Sequence, residues 1–328
     1  MIDREIRELI ENAHVIGITS HIRPDGDAIG SVLGLGLALI SSGKTVEMAL
    51  HSGVSKTFRH LKGSELVKKN FTSLPDLYIV VDCSDLERTM GVLDGHQADI
   101  VVDHHVTNLN FGKVNLVEPT SVATCAILAE HMPKWGLQID ESVASALLSG
   151  IISDSIGFRT SNTTSQSLHT AADLIDKGAD MNELYNRALL NRPFESAKYW
   201  GFGLAKLERT NGLVWTTLSL KDRLSAGYKD EDDADLTNIL SSIEGIDIAI
   251  LFIEQGAEKI KVSWRARPGL DVSGLALELG GGGHPAAAGV DLTGKLEEVQ
   301  AMILKKTNEF LKQANNAEMA AIKSSEME

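Results

Sequence analysis

HVIGITSHIRPDGD, residues 14–27, sets a short apolar run directly against a polar segment holding His21, Asp25 and Asp27. A run of this length bounded by turn-forming residues reads as a buried strand, here residues 14–20. The same arrangement recurs downstream. LYIVV (77–81) runs into Asp82, and DIVV (99–102) runs into Asp103-His104-His105. Residues 45–50 read as a further strand. Residues 28–42, rich in Leu, Ala and Gly and closed by Gly43, read as the helix between the first two strands. Alternating strands and helices predict an α/β fold with a doubly wound, mostly parallel sheet, because near-continuous apolar strands need cover on both faces. Ligands of such sheets bind outside the carboxyl ends of the strands. Three clusters far apart in sequence are therefore expected on one edge.

Further helical patterns cover residues 121–131, 140–152, 165–178 and 180–190. The second of them ends near Asp154, a fourth candidate. Asn191-Arg192-Pro193 then breaks the pattern. The expected organisation is a catalytic domain over 1–190, a helical linker over 191–209, a smaller α/β domain over 210–314 and a disordered tail over 315–328. In the second domain, residues 213–218, 246–253 and 259–265 read as strands, 234–243 and 271–279 as helices, and 295–313 as a long amphipathic helix.

A length of 328 residues fits two domains at ~100–200 residues each. With 43% apolar and 23% charged residues the chain is neither disordered nor a disulfide scaffold. No run reaches the ~18 apolar residues of a membrane span. The opening MIDREIRELIENAH has no apolar signal core, and Cys83 and Cys125 form no CxxC pair, so a cytoplasmic protein is expected. A formal charge of −14 argues against long duplex nucleic acid as a partner, but not against a small phosphorylated ligand in a local pocket. A homodimer is the expected assembly, from the frequency of two-fold oligomers.

Each cluster alone has a plain structural explanation, as a polar turn or a helix cap. Together they do not. Asp25, Asp27, Asp82 and Asp154 would bring four negative charges into one cleft, where each resists ionising without a counter-charge. Two divalent cations cancel them. Mixed imidazole and carboxylate donors suit Mn²⁺ better than Mg²⁺ or Zn²⁺. Two metals ~3.5–4 Å apart clamp the entering and leaving oxygens of an in-line displacement at phosphorus. GxSxG, HExxH and GxxxxGK[ST] are all absent from the sequence.

The ordered motifs HIRPDGDAIGS (21–31), VDCSD (81–85), VVDHH (101–105) and GIISDSIGF (150–158) resemble the DHH phosphoesterase superfamily. GGGGHPAAAG (280–289) resembles the glycine-rich motif of its associated C-terminal domain. The resemblance runs from about residue 6 to residue 311, and within the superfamily it points to the bacterial nanoRNase group. It implies hydrolysis of very short oligonucleotides and of 3′-phosphoadenosine 5′-phosphate, with manganese preferred. It implies that His21 and Asp25 hold one metal, that Asp27, His104 and Asp154 hold the other, and that Asp82 bridges them. Asp103 is then a residue that orients a histidine, and His105 the histidine facing the scissile phosphate. The resemblance also places the glycine loop across an interdomain cleft from the metals.

For substrate binding, Arg159 follows Asp154 by five residues, and a guanidinium grips phosphate bidentately. Arg265 and Arg267 share one face of a predicted strand. Gly281, Gly282 and Gly283 offer backbone N–H groups to an anion, and His284 adds a donor. Cyclic or linear dinucleotide cleavage is the alternative activity, with pyrophosphate or polyphosphate hydrolysis behind it. A nucleotide-binding regulatory module is the non-enzymatic alternative. The two cysteines, the remaining histidines and the acidic run 230–233 are expected to be structural.

Overall fold

In the first unit, Met1–Asn191, the chain forms α1 (Ile2–Asn12), β1 (Val15–Thr19), α2 (Gly26–Ser41), β2 (Thr45–Ala49), β3 (Leu77–Val81), β4 (Ile100–Asp103) and β5 (Val114–Val117). The helices α3 (Thr124–His131), α4 (Glu141–Asp154), α5 (Ser165–Asp176) and α6 (Met181–Tyr185) follow. This is a computed structural model, and it describes residues 2–325. The five strands are all parallel, in the order β2-β1-β3-β4-β5. The spatial order turns back between β1 and β3, and at such a switch point an open sheet leaves a crevice beyond its carboxyl ends. His21 follows β1 and Asp82 follows β3, so they flank that crevice, with Asp103 ending the next strand.

Strand alternation divides the apolar residues between two faces. Ile16, Ile18, Ile79, Val81, Ile100 and Val102 join the main core with Leu33, Leu147 and Ile151 of the helices. Tyr78, Val80 and Val101 face a smaller cluster that includes Leu93 and Ala98. The expectation of helices on both faces meets a difference here. The β3–β4 connection covers the second face with turns, and its Met90, Gly91, Asp94 and Gly95 all take positive φ, which interrupts any longer helix.

Helices α2 and α4 approach through glycine. A Cβ on Gly30 would lie 2.6 Å from the Ala146 carbonyl, and one on Gly150 would lie 2.3 Å from Cys125 Sγ and 3.0 Å from Asp27 Oδ1. The contact sets Asp27, in the first turn of α2, beside the end of α4 that carries Asp154. Gly150→Ala is expected to cost roughly 1–3 kcal/mol of stability by overpacking. Adding Cys125→Ala should return most of that loss, as denaturant titration of the two variants will show.

The second unit, Arg192–Glu328, contains α7 (Phe194–Leu204), β6 (Glu208–Thr210), β7 (Leu213–Leu218), α8 (Leu220–Ala226), α9 (Leu236–Leu240), β8 (Ile248–Gly256) and β9 (Lys259–Ala266). It continues with α10 (Ser273–Glu278), β10 (Gly282–His284), β11 (Ala287–Thr293) and α11 (Leu296–Ser325). Its sheet is mixed, ordered β10-β11-β9-β8-β7-β6, and only β7 and β8 run parallel. Trp215, Phe252 and Trp264 pack with Val299 and Ile303 of α11 on one face. Leu251 and Ile253 pack with Tyr199 and Leu240 on the other.

Two segments differ from the sequence reading. The stretch expected as a linker contributes Tyr199, fully buried, to the second unit's own core. Residues 315–325, expected as a disordered tail, continue α11, since Ala, Glu and Lys extend a helix that is already nucleated. Residues 326–328 of that expected tail lie outside the described residues. Among the described residues no helix is long and apolar enough to cross a membrane.

Candidate metal centre

Asp82 adopts a φ of +52°, a left-handed conformation that Asp and Asn tolerate best among residues with a side chain. Its N–H donates to the Val102 carbonyl at 2.9 Å, and its own carbonyl accepts from Ser20 Oγ at 3.2 Å. So held, the buried carboxylate presents its oxygens in two directions. Oδ2 lies 3.5 Å from His21 Nε2. Oδ1 lies 3.7 Å from His104 Nε2 and accepts from Thr124 Oγ1 at 3.1 Å.

Two groups of potential ligand atoms form around it. His21, Asp25 and Asp82 make one, and Asp27, His104 and Asp154 the other, each with its atoms within 4.8 Å of one another. Asp82, His104 and His105 make a third grouping that overlaps the second. Asp25 divides its work. Oδ1 caps α2 by accepting from the Asp27 and Ala28 N–H groups at 3.0 Å, while Oδ2 lies 4.0 Å from His21 Nε2. Asp27 is held by the first turn of α3. Oδ2 accepts from Thr124 N–H at 2.6 Å, and Oδ1 from Cys125 N–H at 2.9 Å.

The histidines are oriented from behind. His21 Nδ1 lies 2.8 Å from the Ile22 carbonyl and His104 Nδ1 lies 3.3 Å from the Ser121 carbonyl. A carbonyl only accepts, so each Nδ1 carries hydrogen and each Nε2 faces the carboxylates. His105 Nδ1 donates to Asp103 Oδ1 at 2.7 Å, and Asp103 is fully buried.

The electrostatics follow from crowding. Burial disfavours the charge on His21, but the hydrogen bond and charge of Asp82, with Asp25 beyond it, lift its pKa to about 9. His104 is likewise opposed by burial and lifted to about 9 by Asp27, Asp82 and Asp154. Burial and the Asp82 charge raise Asp27 to about 7. Burial and Asp27 hold Asp154 well above the ordinary carboxylate value. Burial also pushes on Asp82, but His21, His104 and His105 overrule it, and its pKa falls far below the usual range.

The structure thus brings together His21, Asp25, Asp27, Asp82, Asp103, His104, His105 and Asp154. Arg159 is exposed just beyond Asp154, after Ile156, Gly157 and Phe158, which all take positive φ. In the second unit Arg265 donates to Asn238 Oδ1 at 3.2 Å and to the Trp264 carbonyl at 3.1 Å. Arg267 pairs with Asp247 at 2.6 Å. Gly281 and Gly283 have a steric purpose. A Cβ at either would lie 2.2 Å from the Gly289 carbonyl or 2.4 Å from the Ala287 carbonyl of β11, whereas one at Gly282 would meet open space. His284 pairs through its backbone with Ala287, and its side chain lies outside the described residues.

Sequence reasoning missed Ser20, Asn108 and Thr124. Thr124 touches both Asp27 and Asp82, yet in SVATCAILAE it reads as an ordinary helix start.

The DHH family, N-terminal domain, matches residues 15–151, and the DHHA1 domain matches residues 220–313. The bifunctional oligoribonuclease and PAP phosphatase NrnA of Thermus thermophilus is 33% identical over 303 residues, 91% of each chain. The protein of that name from Bacillus subtilis is 26% identical, over 83% of this chain and 87% of its own. An exopolyphosphatase-related protein from Bacteroides fragilis shares the fold with a TM-score of 0.88 at 23% identity, covering 95% of this chain and 97% of that one. With both of its halves matched, and a relative this similar along nearly its full length, the chain belongs to the DHH family and carries the DHHA1 domain.

Proposed function

We propose that this protein is a metal-dependent phosphoesterase that hydrolyses short oligonucleotides and 3′-phosphoadenosine 5′-phosphate. The observation that carries the reading is the division of the Asp82 carboxylate, with one oxygen toward His21 and the other toward His104. That division suits a pair of cations sharing one bridging ligand. His21 and Asp25 would complete the first position, and Asp27, His104 and Asp154 the second. The donors fit divalent cations, since each imidazole is already turned Nε2-inward by a carbonyl, and the mixed nitrogen and oxygen set favours manganese. Bound there, the pair supplies Lewis acidity toward water and phosphoryl oxygens. The names of the Thermus and Bacillus relatives support the two substrate classes.

The chain's own residues then divide the work. Asp82 keeps the two positions in register. Asp103 accepts the Nδ1 proton of His105 and so fixes the ring. Nε2 is then the acceptor of the neutral imidazole, and it donates to a phosphoryl or leaving oxygen when His105 is an imidazolium. As phosphate contacts we assign Arg159 in the first unit and, in the second unit, Arg265, Arg267, Gly281, Gly282, Gly283 and His284. Arg265→Ala is expected to raise KM with little change in kcat. The test of the activity is a panel of a diribonucleotide, 3′-phosphoadenosine 5′-phosphate and pyrophosphate, each with Mn²⁺ and with chelator. Manganese-dependent cleavage of the first two is expected. Cleavage of pyrophosphate alone overturns the reading.

A further inference from the structure

We propose that Asn108 is a positioning residue whose side-chain amide braces the two strand ends bearing the site, and so fixes the direction of His105. The proposal rests on the reading above, that His105 acts on the phosphate.

The argument begins at Asp103. This carboxylate is fully buried, and its Oδ1 accepts twice, from His105 Nδ1 at 2.7 Å and from the His104 N–H at 2.9 Å. Those two bonds leave the carboxylate plane free to swing about them. Asn108 Nδ2 donates to the other oxygen, Oδ2, at 2.6 Å and removes that freedom. The same Nδ2 donates to the Cys83 carbonyl at 3.0 Å, on the residue after Asp82. An amide nitrogen carries two hydrogens, and here one goes to each strand end. The amide oxygen is also used, accepting from the Asn110 N–H at 2.7 Å. The Asn108 N–H donates to the His105 carbonyl at 3.1 Å, so the brace is built into the turn that leaves His105.

Asn108 makes these bonds to Asp103 and Cys83, neither of which belongs to a potential ligand group. Asp82 keeps its own anchors, the Val102 carbonyl and Ser20 Oγ. Asp103 reaches His105 through the ring and His104 only through the backbone N–H, so the brace acts first on the direction of His105, the member that the overlapping group adds to Asp82 and His104. Outer partners of this kind are worth about 10–100-fold in activity when removed.

The experiment compares Asn108→Ala and Asn108→Leu with the parent chain. The second variant keeps the size and loses the donor without adding charge beside Asp103, and it serves if the alanine variant does not fold. Expected for each is a kcat lower by about 10–100-fold, with KM and the Mn²⁺ half-saturation concentration changed by less than about threefold. In histidine-labelled, metal-free protein the His105 Nδ1 proton should resonate downfield, and in both variants it should shift upfield or broaden away. A kcat within about twofold of the parent overturns the proposal. So does a kcat loss matched by an equal loss of Mn²⁺ binding, which assigns Asn108 to the cation ligands. A parent chain inactive on both nucleotide substrates instead defeats the functional reading, and the proton signal then decides on the brace by itself.

Discussion

Asp82→Asn is expected to lower kcat on a diribonucleotide by roughly a thousandfold or more, the loss of about 4 kcal/mol of transition-state stabilisation. The substitution is chosen for the backbone. At φ +52° an alanine adds conformational strain to the chemical change, whereas asparagine occupies the left-handed region nearly as readily as aspartate. Asparagine also keeps an oxygen for the Thr124 hydroxyl. It removes the negative charge and the second carboxylate oxygen, the features that let one residue face both His21 and His104. Titration with Mn²⁺ should show weakened binding at both positions, while the melting temperature of the chelated protein shows that the fold is intact. Retained diribonucleotide cleavage in a folded Asp82→Asn protein removes the two-cation mechanism.

The pH dependence of cation binding should be nearly as large. In the metal-free protein His21 and His104 both titrate at about 9, because the surrounding carboxylates stabilise their charge. At pH 7 both groups are imidazolium and offset part of the carboxylate charge. Each incoming ion must displace a proton, so binding releases protons and its apparent affinity rises with pH. Between pH 7 and 9 the dissociation constant at each position should fall by about tenfold per pH unit for each proton displaced. Calorimetry in buffers of different ionisation enthalpy counts those protons directly. A release near zero at pH 7 would contradict the charge balance described for the centre.

The same values predict the stability of the chelated protein with the opposite sign. A histidine whose folded pKa lies above its unfolded value of 6.5 stabilises the fold fully below that value, and the contribution is lost as pH rises through about 9. Asp27, raised to about 7 by burial and by Asp82, loses stability with rising pH in the same sense. The melting temperature with chelator should therefore decline between pH 6.5 and 9, and Mn²⁺ should reverse the decline. A flat profile over that window speaks against charged histidines in the metal-free centre.

The main features of the centre are legible in the sequence because of where its residues stand. Asp82 and Asp103 end strands that are apolar on both sides, and an aspartate stopping LYIVV or DIVV has little structural reason to recur. Asp154 is legible only through its place at a helix end. Strand β5 escapes because VNLV is too short to show alternation, although Val114 and Leu116 are its buried pair. Thr124 and Asn108 escape for another reason. Their value lies in hydrogen bonds to residues 42 and 25 positions back in the chain, and locally they look like any cap or turn residue. Tyr199 misleads in the opposite direction, since a segment after Asn-Arg-Pro reads as a connection until its partners Val214 and Leu218 are seen beside it. The glycine run 280–283 reads as an anion nest, yet two of its members are also required by the close approach of β11.

The bare contact between α2 and α4 has a consequence for how this protein can change over generations. Hydrophobic interiors drift by a methylene at a time, and helices normally slide to absorb each exchange. Here no side chain stands between Gly30 and the backbone of α4, so that route is closed. Asp27 and Asp154 ride on a backbone-limited spacer, and substitutions elsewhere in the interior leave their separation insulated from ordinary neutral change.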